Sequence, residues 1–242
     1  MDKRARFWKN GYSQFAVTKE EEHEVNIYTR HGWYSRVKVF RGLIRQMMSD
    51  ETLTKGMKTA DLGCGSGMYS RIMKEAGLDP VSLDICFEML GYAKKQDKEI
   101  PCIAADCLNL PFKNEVFDFA ISFGVISIIT EPEEFFHELK RTSKDQSIIM
   151  LMTLNKNFIA NLKRIFHEDR TLPEDIGIIE YYPLKLKKRL QEIFPYSEIE
   201  FIPVFIFPNP FRFLQGVFQK IKLLHFTGHF LASAFILKIK RH

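Results

Sequence analysis

Apolar residues come in short, nearly unbroken runs through the middle of the chain. The runs at 58–63, 80–85, 101–106, 117–125 and 146–154 read as strands. Runs apolar on every position predict a parallel sheet covered on both faces. Between them, 67–77, 86–97 and 132–143 carry helical spacing. Ala76-Gly77 supplies a glycine stop for the first of these helices. Glu131-Pro132 supplies a proline suited to the first turn of the last one. Repeated strand–helix units of this kind predict an open, doubly wound α/β sheet.

The flanks are less regular. Residues 1–18 are basic and aromatic with no clear period, and read as a loose arm or a short helix. From 20 to 48, Val25, Tyr28, Trp33, Val37, Phe40, Leu43, Ile44 and Met47 recur at roughly helical spacing. Gly32 suggests a break, so one or two helices are expected there. Beyond Asn155 a helix is expected over 156–168, then a mixed insertion over 169–182. An amphipathic helix follows at 184–194, with Lys185, Lys187, Lys188 and Arg189 on its wet side. Two further strands are expected at 198–207 and 230–240. Their connection, 208–228, is far longer than a hairpin turn needs and is the most aromatic part of the chain.

Composition narrows the picture only a little. The 242 residues are 45% hydrophobic and 27% charged, enough for one ample core. A net charge of +5 permits anionic partners without demanding them. Cys64, Cys86, Cys102 and Cys107 read as free thiols of a reducing compartment. Cys102 and Cys107 are too loosely placed for a zinc pair, and no metal is expected. The opening MDKRARFWKN lacks the apolar centre of a signal peptide. No run reaches the ~18–20 apolar residues of a membrane span. A cytoplasmic location is the expectation, with a peripheral membrane contact still open.

The chemistry centres on 61–67, DLGCGSG. Alternating glycines let a ligand come against bare backbone. Turn N–H groups and the positive end of the following helix favour a carboxylate or phosphate. The dinucleotide fingerprint would need a glycine where Met68 stands. The phosphate-binding loop would need Lys-Ser or Lys-Thr, which is missing. An acid followed by alternating glycines resembles the first motif of class I S-adenosylmethionine (SAM) dependent methyltransferases. The small-molecule type of that family, with methyltransferase domains of the 11/25 kind, is the nearest in pattern.

That resemblance implies a Rossmann-like, seven-stranded, mostly parallel sheet with helices on both faces. It implies an N-terminal helical cap at 1–50 and a SAM-dependent methyltransferase domain at 51–242, closed by an antiparallel hairpin. Substrate-facing insertions would lie at about 156–195 and 208–228, the second of them aromatic. SAM is the implied cofactor and S-adenosylhomocysteine its product. Gly63, Cys64, Gly65 and Gly67 would receive the methionine portion, their N–H groups facing its carboxylate. Asp61 would orient that turn, or only fasten it through hydrogen bonds. Asp84 lies 17 residues past Gly67, near the ~20-residue interval at which an acid reaches ribose hydroxyls. Ile85 or Cys86 would flank the adenine, Asp106 reach its amino group, and the Cys107 N–H a ring nitrogen. The backbone of Phe123 would meet the SAM amino group.

The reaction implied is in-line methyl transfer, to which a protein contributes mainly alignment. No residue stands out as a base. Tyr28, His31, Tyr34 and His229 are the candidates, with His225 beside them. Many relatives carry His or Trp soon after the fourth strand, where 125–129 here read VISII, an apolar site entrance. A small-molecule or lipid-like acceptor is the leading reading, with the aromatic 201–231 stretch as greasy pocket, membrane contact or sheet-edge cover. A second reading is transfer RNA. Tyr28-Thr29-Arg30, Trp33 and 121–126 are similar to wobble-uridine methyltransferases, and Lys185–Arg189 would suit phosphates. Ser127 and Ile128 stand where that family has two histidines. A non-catalytic SAM-binding module is the third.

Overall fold

The computed structural model describes residues 3–26, 29–156, 177–204 and 232–242. The chain opens with a helix, α1 (Lys3–Thr18), where a loose arm or short helix was expected. Its period is carried by Trp8, Tyr12 and Ala16, spaced by four. Trp8 is buried, and Tyr12 and Ala16 pack against Val25, Cys86 and Met89. Intervening residues such as Lys9, Asn10, Ser13 and Gln14 hide this stripe in a plain reading of the sequence.

A single turn, α2 (Glu22–Val25), precedes the long α3 (Arg30–Ser49). The break expected near Gly32 falls between α2 and α3, just before Arg30. Gly32 is buried in the first turn of α3, and its N–H donates to Thr29 Oγ1 at 3.1 Å. Thr29 is thus the N-cap that starts the helix, a stronger signal than the glycine.

The alternating units follow as expected: β1 (Lys58–Leu62), α4 (Met68–Glu75), β2 (Asp79–Asp84), α5 (Phe87–Gln96), β3 (Cys102–Ala104) and β4 (Phe117–Phe123). A 3₁₀ turn at Val125–Ser127 leads to α6 (Pro132–Thr142), which runs directly into β5 (Ser143–Leu154). After 177 come α7 (Pro183–Ile193), β6 (Glu198–Val204) and β7 (Ala234–Lys240). β3 is shorter than the apolar run that predicted it. β5 begins three residues early, with Gln146 at φ +63° and a slip in register against β4.

The strands form one seven-stranded sheet in the order β3-β2-β1-β4-β5-β7-β6. β1 to β5 are parallel, and β7 lies antiparallel between β5 and β6. This is the Rossmann-like, mostly parallel α/β architecture that the motif implied. Side chains alternate between two cores, as strand geometry requires. Ile148, Met150 and Met152 join Phe40, Ile44 and Ile72 from α3 and α4 on one face. Ile149 and Leu151 join Phe135, Leu139, Leu186 and Leu190 from α6 and α7 on the other.

The helix expected at 156–168, most of the insertion at 169–182 and the whole connection at 208–228 lie outside the described residues. So do Tyr28, His225 and His229. Phe201, at the near end of the aromatic stretch, is buried and stacks on Phe235 with ring centroids 5.5 Å apart. Among the described residues no helix is long and apolar enough to cross a membrane.

Candidate active site

The carboxyl ends of β1, β2, β3 and β4 converge, as ligand sites in open α/β sheets do. The turn after β1 is fastened to β2: the Gly63 and Cys64 N–H groups donate to the Leu83 carbonyl at 2.7 and 2.9 Å. Two of its glycines have no substitute. Gly63 sits at φ +76°, where a Cβ would lie 2.1 Å from Val125 Cγ2. At Gly65, with φ +53°, a Cβ would lie 2.6 Å from Asn26 Oδ1.

Asp84 ends β2 and binds two pieces of backbone. Its Oδ2 accepts the Gly65 N–H and its Oδ1 the Cys86 N–H, both at 2.9 Å. Burial raises its pKa, and these two N–H groups oppose the rise. Asp106 Oδ1 accepts the Leu108 N–H at 3.0 Å, which shapes the turn after β3.

Between these groups lies a cavity of about 450 Å³. Gly63, Gly65, Asp84 and Ile85 line it, and so do Asp106, Cys107 and Phe123. Asp61, Cys64 and Gly67 do not. Gly67 starts α4, and Cys64 is buried beneath the turn. Asp61 is buried too, its Oδ2 accepting the Ser70 N–H at 3.1 Å and the Ser70 hydroxyl at 2.7 Å. Its place in the fold is therefore to pin the turn to α4, the fastening role that the sequence left open.

Burial pushes the Asp61 carboxyl up to about 7, from an ordinary 3.8. The folded protein thus holds this proton more tightly than the unfolded chain does. Its contribution to stability is full below pH 3.8 and declines as pH rises to about 7. Asp61→Asn should remove that decline. Urea midpoints measured across this window should shift in favour of the variant as pH rises; parallel curves for variant and wild type would refute it.

The cavity also holds residues that the sequence did not single out. From α1 come Ala5, Lys9 and Tyr12, one face of the helix at spacings of four and three. Asn26 stands over the glycine turn, and Glu131 and Glu134 line the rim at the start of α6. The lining that follows β4 is apolar, with Val125, Ile128 and Ile129. Two expected candidates are not brought here: His31 and Tyr34 lie on α3 outside the cavity lining. Tyr34 is 58% exposed, with the Arg30 guanidinium over its ring. Among the described residues no histidine lines the cavity. Burial raises all four thiols, Cys107 to about 12, so none is a ready thiolate.

The N–H groups of the turn, expected to face a ligand carboxylate, also have partners within the protein. Besides the three bonds given above, Gly67 donates to the Cys64 carbonyl at 2.9 Å and Ser66 to Asn26 Oδ1 at 3.5 Å.

Comparison with known proteins agrees with this geometry. The methyltransferase domain family matches residues 60–151. A SAM-dependent methyltransferase fold is thereby placed on the strands and turns that build the cavity. Residues 60–151 are thus similar to a methyltransferase domain, on a fold shared with SAM-dependent methyltransferases. Demethylmenaquinone methyltransferase of Paenarthrobacter aurescens is 31% identical over 114 residues, 47% of this chain and 45% of that protein. Malonyl-[acyl-carrier protein] O-methyltransferase of Pectobacterium atrosepticum is 28% identical over 109 residues, 45% of this chain and 43% of that protein. The chain thus spans less than half the length of either relative. Among solved structures, the PH0226 protein of Pyrococcus horikoshii superposes with a TM-score of 0.62 at 17% identity, covering 87% of this chain and 91% of that one. At that identity the likeness speaks for the fold alone.

The residues of this methyltransferase domain fit SAM. The cavity has a glycine cradle that any Cβ would fill, acids at the ends of β2 and β3, and a negative lining suited to a sulfonium. Among the described residues no cluster of His, Cys, Asp and Glu is arranged to hold a metal. The methyltransferase domain also fastens its Asp106 loop from behind. Arg141 donates from Nε and Nη2 to Glu138 at 2.6 and 2.7 Å, and to the Phe112 and Leu110 carbonyls at 2.7 and 3.0 Å. Glu138 in turn accepts the Leu110 N–H at 2.7 Å. No short motif marks this pair, because its partners are main-chain groups of a distant loop.

Proposed function

We propose that the protein transfers a methyl group from SAM to a small-molecule or lipid-like acceptor by in-line displacement. One observation carries the reading: the glycine turn, Asp84 and Asp106 converge on a cavity whose lining after β4 is apolar. Bound there, SAM supplies a methyl group that is already electrophilic. Asp84 would receive the ribose hydroxyls, and the Asp106 carboxylate with the Cys107 N–H would hold the adenine edge. Phe123, Val125 and Ile128 would exclude water and present an apolar acceptor to the methyl donor. Alignment of this kind is worth up to about 7–11 kcal/mol in well-oriented systems.

The cavity holds no histidine among its described residues, so a ready base is not supplied by the usual side chain. An acceptor that ionises easily, or Glu131 and Glu134 at the rim, fits that lining better. Among the relatives, one is named for a quinone precursor and one for an acyl-carrier conjugate, while two named probable tRNA methyltransferase 9B support transfer RNA as the second reading.

The test is calorimetry with SAM, then incubation of the full chain and methyl-labelled SAM with fractionated extract. Binding to SAM and label in the small-molecule or lipid fraction are the expected results. Label in transfer RNA would replace the acceptor class with nucleic acid. Binding without any labelled fraction would favour a SAM-binding module, and absence of binding would refute the reading.

A further inference from the structure

The amino-acid end of SAM needs a partner for its carboxylate, and the glycine turn is poorly placed to be that partner. Its N–H groups donate to Leu83, Asp84, Asn26 and Cys64. Asn26 further screens the turn by standing over Gly65. The rest of the lining repels an anion: Asp84, Asp106, Glu131 and Glu134 all face the cavity. Among the described residues that line it, Lys9 is the one cation.

Lys9 is well anchored for such a role. It is half-buried on α1, between Ala5 and Tyr12 on the face that lines the cavity. One turn back, Arg4 donates to Thr130 Oγ1 at 3.4 Å. One turn on, Tyr12 packs against Val25, next to Asn26 and the glycine turn. Ser13 donates to Glu88 Oε2 at 2.6 Å and lies 3.2 Å from Cys86 Sγ, which ties α1 to the start of α5. Lys9 also opposes the burial-driven rise at Asp84, so its charge reaches the end of β2.

The geometry points to Lys9 as the residue that binds the cofactor's carboxylate, so that α1 and not the glycine turn reads the amino-acid end of SAM. This rests on the SAM reading above and adds to it a ligand from outside the glycine motif. It also couples donor binding to the seating of α1, because the ammonium is in place only when that helix lies across the cavity.

Decarboxylated SAM tests it, since it keeps the sulfonium, ammonium, ribose and adenine and lacks only the carboxylate. In calorimetric titrations of the full chain, Lys9→Ala should weaken SAM at least about tenfold, about 1.4 kcal/mol. Decarboxylated SAM should change by less than about twofold on the same scale. Lys9→Arg should restore SAM binding, and the unliganded thermal midpoint of each variant checks that it folds. Equal losses for both ligands would mean that Lys9 acts through Asp84 or the fold, and would overturn the assignment. An unchanged SAM affinity in a folded Lys9→Ala protein would overturn it as well, leaving the SAM reading intact. A wild-type chain that binds neither ligand would overturn both together.

Discussion

Replacing Asp84 with alanine is expected to weaken SAM binding by about a hundredfold or more, about 2.7 kcal/mol. Two effects act together. The acid proposed to take the ribose hydroxyls is gone. The N–H groups of Gly65 and Cys86, both bonded to Asp84 at 2.9 Å, also lose their acceptor. Each orphaned buried N–H costs about 1–3 kcal/mol, so the turn and the start of α5 would shift as well. Asp84→Asn separates the two effects, because the amide keeps one acceptor oxygen and gives up the charge. Calorimetry should rank wild type above Asn, and Asn above Ala. An alanine variant with wild-type affinity would refute both the ribose role and the location of the site.

Gly63→Ala should be the most damaging single-atom addition. A Cβ there meets Val125 Cγ2 at 2.1 Å, on a backbone with φ +76°. The left-handed conformation costs a residue with a Cβ about 1–2 kcal/mol, and overpacking adds about 1–3 kcal/mol. A combined loss of about 2–5 kcal/mol should appear as a lower urea midpoint with unchanged slope. Adding Val125→Ala should recover the packing part and leave the backbone part. A Gly63→Ala protein as stable as wild type would show that the turn relaxes freely and that the cradle is not rigid.

These two expectations concern residues that the sequence marked plainly. A glycine at positive φ and an acid at the end of the next strand are local demands of a ligand turn, so they leave a local pattern. The helical stripe of α1 was harder to see. Its buried side is only Trp8 with the half-covered Tyr12 and Ala16, and the residues between them are polar. The break expected near Gly32 lies a few residues earlier, because the Thr29 cap sets the helix start and a buried glycine in a first turn is tolerated. His31 and Tyr34 carried the right chemistry in the wrong place, since α3 turns them away from the cavity.

By itself, the sequence determined the alternating α/β order, the ligand turn at 61–67 and the acids Asp84 and Asp106. Each follows from spacing along one strand, one turn or one helix. Tertiary structure alone decided what the turn's N–H groups bind and which charges face the cavity. Gly65 finds Asp84 across 19 residues and Ser66 finds Asn26 across 40, so their hydrogen bonds exist only once the sheet and the N-terminal helices are packed. The same packing puts Lys9 in the lining of a cavity whose other charged residues, among those described, are acids. Charge and hydrogen-bond capacity in a site depend on neighbours in space, and no period along the chain encodes them.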